Sequence, residues 1–296
     1  MRMRQLQCFV VLAEELSFTR AAQRLNMSQP PLSTQIQTLE RDLAAQLILR
    51  TSRKVTLTRA GEAFLGHARS ILDQYERATQ EIAAIQQGQA GMLEIGATGS
   101  ILRGGLSDLL SRFAVRNPGI TLRVTEQPPS VQITEVISHR TDVSFNRSIP
   151  RNRDLTHEFA WCEEMVALLP QDHPLATQDA ISIADLRDDD HVLLRPDSSD
   201  FATYVLSRII DAGYQPKVSQ QVVDAQSIPS LIASGFGVSI VPAGIARLTA
   251  GPLAFLPIRP DPPMAQVYMV YRRDEQGSAL QAFLAHVRAE RHEVSA

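Results

Sequence analysis

The chain has 296 residues, long for one domain and comfortable for two; 44% hydrophobic and 21% charged residues support a sizeable core and exclude a disordered chain. The net charge of −3 is unevenly placed: residues 1–61 hold nine Lys or Arg against four acids, about +5, and the rest holds twenty against twenty-eight, about −8. A basic head on an acidic body is a pattern expected of a chain that meets nucleic acid at one end. The first twenty residues carry Arg2, Arg4, Glu14, Glu15 and Arg20, so no secretory signal is expected there. No run approaches the roughly 20 apolar residues of a membrane span. Cys8 and Cys162 lie far apart in no metal-ligand spacing, which predicts a cytoplasmic protein with no disulfide framework, no metal and no cofactor.

Leu6, Phe9, Val10, Ala13 and Leu16 follow helical spacing and predict a first amphipathic helix. Ser17 and Thr19 are cap-type residues before a second short run, Ala21, Ala22 and Leu25, which Asn26 stops. Ser28 is placed to cap a third helix with Pro30 and Pro31 in its first turn and Leu32, Ile36, Leu39 and Leu43 along its apolar side. Two short helices around a tight turn make a helix-turn-helix. The outward side of the third helix carries Ser33, Thr34, Gln37 and Thr38, short neutral hydrogen-bonders suited to base edges in a major groove. Residues 49–58 alternate as a hairpin with Arg50, Arg53 and Lys54 near its tip, a wing placed to touch phosphates or the minor groove. The same pattern read blandly is a three-helix scaffold with a charged hairpin.

The run from Phe9 to Leu43, with A-E-E-L-S-F-T-R-A-A-Q-R-L and S-Q-P-P-L-S-T-Q-I, followed by R-T-S-R-K-V-T-L-T-R-A-G, resembles the N-terminal signature of the LysR-type transcriptional regulators over about sixty residues. The resemblance implies that Gln29, Pro30, Ser33, Thr34 and Arg53 approach DNA. It implies double-stranded DNA, a small-molecule effector, further copies of the chain (dimer or tetramer) and RNA polymerase as partners. Thr34 stands where relatives often carry Arg, and Ala44-Ala45 and Ile48 replace a more usual Gly-Val and Phe, read here as packing changes. The expected organisation is a winged helix-turn-helix (1–59), a linker helix (60–88) and an effector-binding domain (89–296).

Residues 60–88 contain no proline, and Phe64, Ala68, Ile71, Tyr75, Ala78, Ile82 and Ile85 fall at alternating steps of four and three. That seam predicts a dimerisation helix, ended by Gly88 and Gly91; the bland alternative is a helix packed on its own domain. Beyond it, strands are predicted at 92–97, 121–126, 143–145, 166–169, 192–194, 218–223, 238–241 and 266–271. Helices are predicted at 102–116, 130–140, 202–212, 228–234 and 279–291. Their alternation predicts a mostly parallel α/β domain. The resemblance implies a two-lobed, type 2 periplasmic-binding-protein-like fold, with lobe I at 91–161 and 266–296 and lobe II at 162–265.

Ligands of open α/β sheets bind beyond the carboxyl ends of strands. That rule singles out Thr98 and Ser100, Pro129 and Ser130, Asn146 and Arg147, and Asp200 and Phe201. Ser100 reads as a helix N-cap and Arg147 as a grip for a carboxylate, so a small organic acid is the expected effector; Asp200 is the group that would repel one. The segments S-I-L-R-G-G-L, R-P-D-S-S-D-F-A-T-Y-V and A-S-G-F-G-V-S-I-V-P resemble family members that control aromatic-compound degradation. Two other classes stand against this reading. An enzyme lacks support, because no nucleophile-elbow, zinc-protease, P-loop or dinucleotide motif occurs and His286, Glu290 and His292 lack a third ligand nearby. A cysteine redox sensor would rest on Cys162, whose neighbours Glu163 and Glu164 are a poor setting for a thiolate.

Overall fold

The computed structural model describes residues 2–50, 55–86, 91–249, 251–275 and 277–294. Their contacts divide into two compact units, Met1–Ala83 and Ala84–Ala296.

The first unit opens with α1 (Met3–Glu15), α2 (Phe18–Arg24) and α3 (Gln29–Asp42). Leu6, Phe9, Leu12, Ala21, Leu32, Ile36 and Leu39 are buried together, and each large apolar side chain so buried contributes about 1.5–3 kcal/mol. Leu16 departs from expectation: it is the C-cap of α1 at φ 48 and is exposed. Ser17 caps α2 by accepting from the Arg20 amide. Ser28 occupies the N-cap of α3, but its side chain makes no cap bond.

At the C-terminus of α3 the Ala45 amide donates to the Glu40 carbonyl at 3.0 Å and the Ala44 amide to the Arg41 carbonyl at 3.1 Å, a Schellman motif. Ala44 pivots it at φ 49, a left-handed conformation that glycine adopts more cheaply. Alanine here is therefore a backbone matter as well as the packing change read from the sequence. The hairpin follows as β1 (Ile48–Arg50) and β2 (Val55–Leu57), with Ile48 opposite Leu57 and Arg50 opposite Val55. The Glu40 carboxylate accepts from the Leu47 and Ile48 amides at 2.9 and 3.0 Å and so ties the hairpin to α3. A Cβ at Gly61 would stand 2.2 Å from the Leu47 carbonyl oxygen, which accounts for the glycine in R-A-G.

The long helix α4 (Arg59–Gln86) divides the expected seam. Phe64, Ala68 and Ile71 pack against the core of the head itself, Phe64 with its ring 5.4 Å from that of Phe9. Tyr75, Ala78 and Ile82 are exposed, Tyr75 by 52% and Ile82 by 58%. Phe64 and Ile71, expected on the dimer seam, are thus half-buried against their own head, which takes part of their apolar surface within the protomer. The Ile85 side chain and Gly88 lie outside the described residues.

The second unit begins with β3 (Gly91–Ala97) and α5 (Gly99–Ile101), which runs through a π-helical turn, Leu102–Leu106, into α6 (Ser107–Arg116). Then come β4 (Ile120–Glu126), α7 (Pro129–Ile137), β5 (Val143–Asn146), β6 (Leu155–Pro170), β7 (Asp190–Leu194), α8 (Asp200–Asp211) and β8 (Lys217–Val222). The unit closes with α9 (Ile228–Ala233), β9 (Ser239–Pro242), β10 (Leu253–Pro257), β11 (Met264–Arg272) and α10 (Ser278–Val294). The main sheet runs β10-β6-β11-β5-β3-β4, with β9 also on β6, and β7 pairs β8 apart from it.

Two sequence expectations change. The sheet is mixed: β3 is parallel to β4 and β5, but β11 runs antiparallel to β5 and β6, and β9 and β10 antiparallel to β6. And the strand expected at 166–169 is the end of β6, sixteen residues that pair with β11 in their first part and with β9 and β10 in their second. The lobe boundary expected at 161/162 falls inside one continuous strand. Phe113, Phe145 and Phe283 centre the core of the first lobe; Leu193, Val205, Ile209 and Ile240 lie in that of the second.

Candidate DNA-reading surface and effector cleft

On the head, Gln29, Pro30, Thr34 and Gln37 are exposed along one side of α3, and Ser33 is half-buried. Thr34 donates to the Pro30 carbonyl at 3.1 Å, so its hydroxyl is turned back onto the helix. Arg50 reaches over from β1: its guanidinium carbon stands 4.2 Å from the Phe18 ring centroid, and Nη1 donates to the Ser33 Oγ at 2.8 Å. Stacking on Phe18 holds the planar cation beside the start of α3. Two residues expected to touch DNA are thus joined to each other. Arg53 and Lys54 lie outside the described residues. Glu40 and Phe18, which position the hairpin and Arg50, were not singled out from sequence; a core-type aromatic and a helical acid carry no local mark of that role.

In the second unit a cleft opens at the carboxyl ends of β3, β5 and β7. Its inner chamber, about 130 Å³, is lined by Thr98, Ser100, Pro129, Arg147 and Phe201 among others. Ser130, Asn146 and Asp200 line an adjoining outer chamber of about 430 Å³, with Pro129, Ser148 and Ser199 shared as the wall between. The eight expected residues therefore fall into two groups. Ser100 is not a cap. Thr98 holds the N-cap position of α5, and the two hydroxyls lie 3.2 Å apart. The cap of α8 is Ser199, whose Oγ accepts from the Ala202 amide at 3.2 Å. The Phe201 amide donates across the cleft to Ser148 Oγ, also at 3.2 Å.

Arg147 is deeply buried and already holds one carboxylate, while its Nε is left without a partner. Its Nη2 donates to Glu163 at 2.7 Å, and the other Glu163 oxygen accepts from the Gly244 amide at 2.7 Å. Burial pushes the Arg147 pKa down, the Glu163 charge pushes it back up, and the guanidinium remains a cation. Glu163 escaped sequence reasoning because it is remote in sequence from Arg147; only the register of β6 brings them together. Nearer the mouth, Gln226 Nε2 donates to Glu126 Oε1 at 2.8 Å, and a Cβ on Gly99 would collide with that same amide. Asp224 accepts from the Gln226 backbone amide at 2.9 Å.

Residues 3–62 match the family described as bacterial regulatory helix-turn-helix protein, lysR family, and residues 86–291 match the LysR substrate binding domain. The chain belongs to the LysR family of transcriptional regulators. It is 35% identical over 289 residues to YnfL, an uncharacterised regulator of Escherichia coli K12, covering 96% of this chain and 97% of that one. It is 30% identical over 295 residues to the regulator BenM of Acinetobacter baylyi, covering 97% and 95%. The crystal structure of CbnR, a LysR family regulator, superposes with a TM-score of 0.85 at 29% identity over 98% of this chain and 99% of that one. This LysR-type regulator accordingly joins a DNA-binding helix-turn-helix to an effector-binding α/β domain, and the proteins it resembles here are regulators, not enzymes. Among the described residues, no helix is long and apolar enough to cross a membrane.

Proposed function

We propose that this LysR-type regulator reads operator half-sites with the exposed side of α3 and is switched by a small molecule seated in the cleft of its second unit. The observation that carries the first half is the side of α3 that bears Gln29 and Gln37. It is exposed while the opposite side is locked into the core by Leu32, Ile36 and Leu39. Glutamine suits bidentate contact with adenine in the major groove. Gln29→Ala and Gln37→Ala should each weaken operator binding by about 1–3 kcal/mol and narrow the preference for operator over random DNA. Titrations in which both variants keep full discrimination would remove α3 from the reading surface.

The exposed stretch of α4 at Tyr75, Ala78 and Ile82 supports self-association, which pairs two recognition helices on paired half-sites. RNA polymerase is the further partner in this reading, as a regulator bound beside a promoter acts through it. The likeness of three segments to regulators of aromatic-compound degradation supports an effector with a compact apolar body, and Phe201 supplies the matching surface.

A further inference from the structure

We propose that the effector is a small organic cation, an amine carrying a compact apolar body, and not an organic anion; this rests on reading the cleft as the effector site. The charges around the two chambers decide it. Glu126 and Asp224 line the inner chamber and Asp200 the outer. Among the described residues no Lys, Arg or His pairs with any of these three. Two cations line the chambers. Arg147 is offset by Glu163 at 2.7 Å, and Arg151 formally offsets one carboxylate. Two negative charges remain over. An anion entering here meets a net negative field, and a cation is drawn in.

The hydrogen-bonding atoms point the same way. Asn146 is 2% exposed, lines the outer chamber, and has an Oδ1 with no partner, its Nδ2 being used on Ser144 Oγ at 2.8 Å. Gln127 lines the inner chamber and its Oε1 is also buried without a partner. Buried acceptors of this kind call for a donor. The donors nearest the chambers are in part engaged: the Phe201 amide on Ser148, the Ala202 amide on Ser199, and Arg147 Nη2 on Glu163, while Arg147 Nε is buried without a partner. Pro129, at the start of α7, has no amide hydrogen to offer. Ile101, Leu194, Phe201 and Val223 give the inner chamber an apolar lining. A ligand that fits has N–H donors and positive charge at one end, and a short hydrocarbon or ring at the other.

The test is calorimetric titration and melting of the full chain with 2-phenylethylamine and 1,4-diaminobutane, against the size-matched acids phenylacetate and succinate. An amine should bind and raise the melting temperature, and Asp224→Asn and Asp200→Asn should each weaken it tenfold or more. In Asp224→Asn the new side-chain carbonyl can still accept from the Gln226 amide, so the loop keeps its shape. Binding of an acid, tightened by the same substitutions, overturns the cation assignment and leaves the cleft reading intact. Failure of both amines to bind also overturns it. Binding of either class that survives Asp224→Asn and Phe201→Ala unchanged places the ligand outside the cleft, and then the cleft reading itself falls.

Discussion

Ala44 shows how one side chain can sit against its own backbone. A non-glycine residue in the left-handed region costs about 1–2 kcal/mol, part of which glycine returns as unfolded-chain entropy. Ala44→Gly should therefore stabilise the head by about 1 kcal/mol, about 4–8 °C in the melting of a domain this size. Calorimetry giving an unchanged or lowered transition would mean that the Schellman turn is held by other contacts. The position was visible in the sequence as a departure from the family pattern; its backbone cause was not, because φ is a property of the folded turn. Arg147 teaches the same lesson. Its place after β5 was legible from strand-end logic, but Glu163 lies sixteen residues on, and a pairing set by strand register leaves no local trace.

At the level of elements, helical periodicity located α1, α3 and α4 because their apolar faces are one-sided. It could not say that α4 packs on the head along its first part and is exposed at Tyr75, Ala78 and Ile82, since a seam looks alike whether it packs on its own head or on another copy. The proposed self-association through this stretch is testable without disturbing the head. Tyr75 and Ile82 are exposed in the protomer, so Tyr75→Asp with Ile82→Asp should leave the fold intact. Burying those charges against a second copy should weaken self-association by about 3 kcal/mol or more, over a hundredfold. Sedimentation showing an unchanged oligomer would exclude this stretch as the interface. β6 was half missed for the converse reason: its first part is broken by the polar runs Thr156-His157-Glu158 and Glu163-Glu164 and shows no two-residue alternation.

Over the whole molecule, the division of charge should govern how the protein meets DNA. Association through a basic head falls steeply with salt, with a slope set by the number of phosphates neutralised. Arg50→Ala should make that slope shallower by about 1 if Arg50 reaches a phosphate. A weaker affinity at unchanged slope would instead show that Arg50 acts by steadying Ser33, to which it is bonded. The continuous strand β6 has a consequence of another kind. It contributes to the sheet of each lobe, flanked by β11 in one and by β9 and β10 in the other. A lobe exchanged with a relative at residue 161/162 would arrive with half a strand, its ladder ending in mid-sheet. An exchange that takes β6 whole from one parent avoids that break, whereas one cut within it does not.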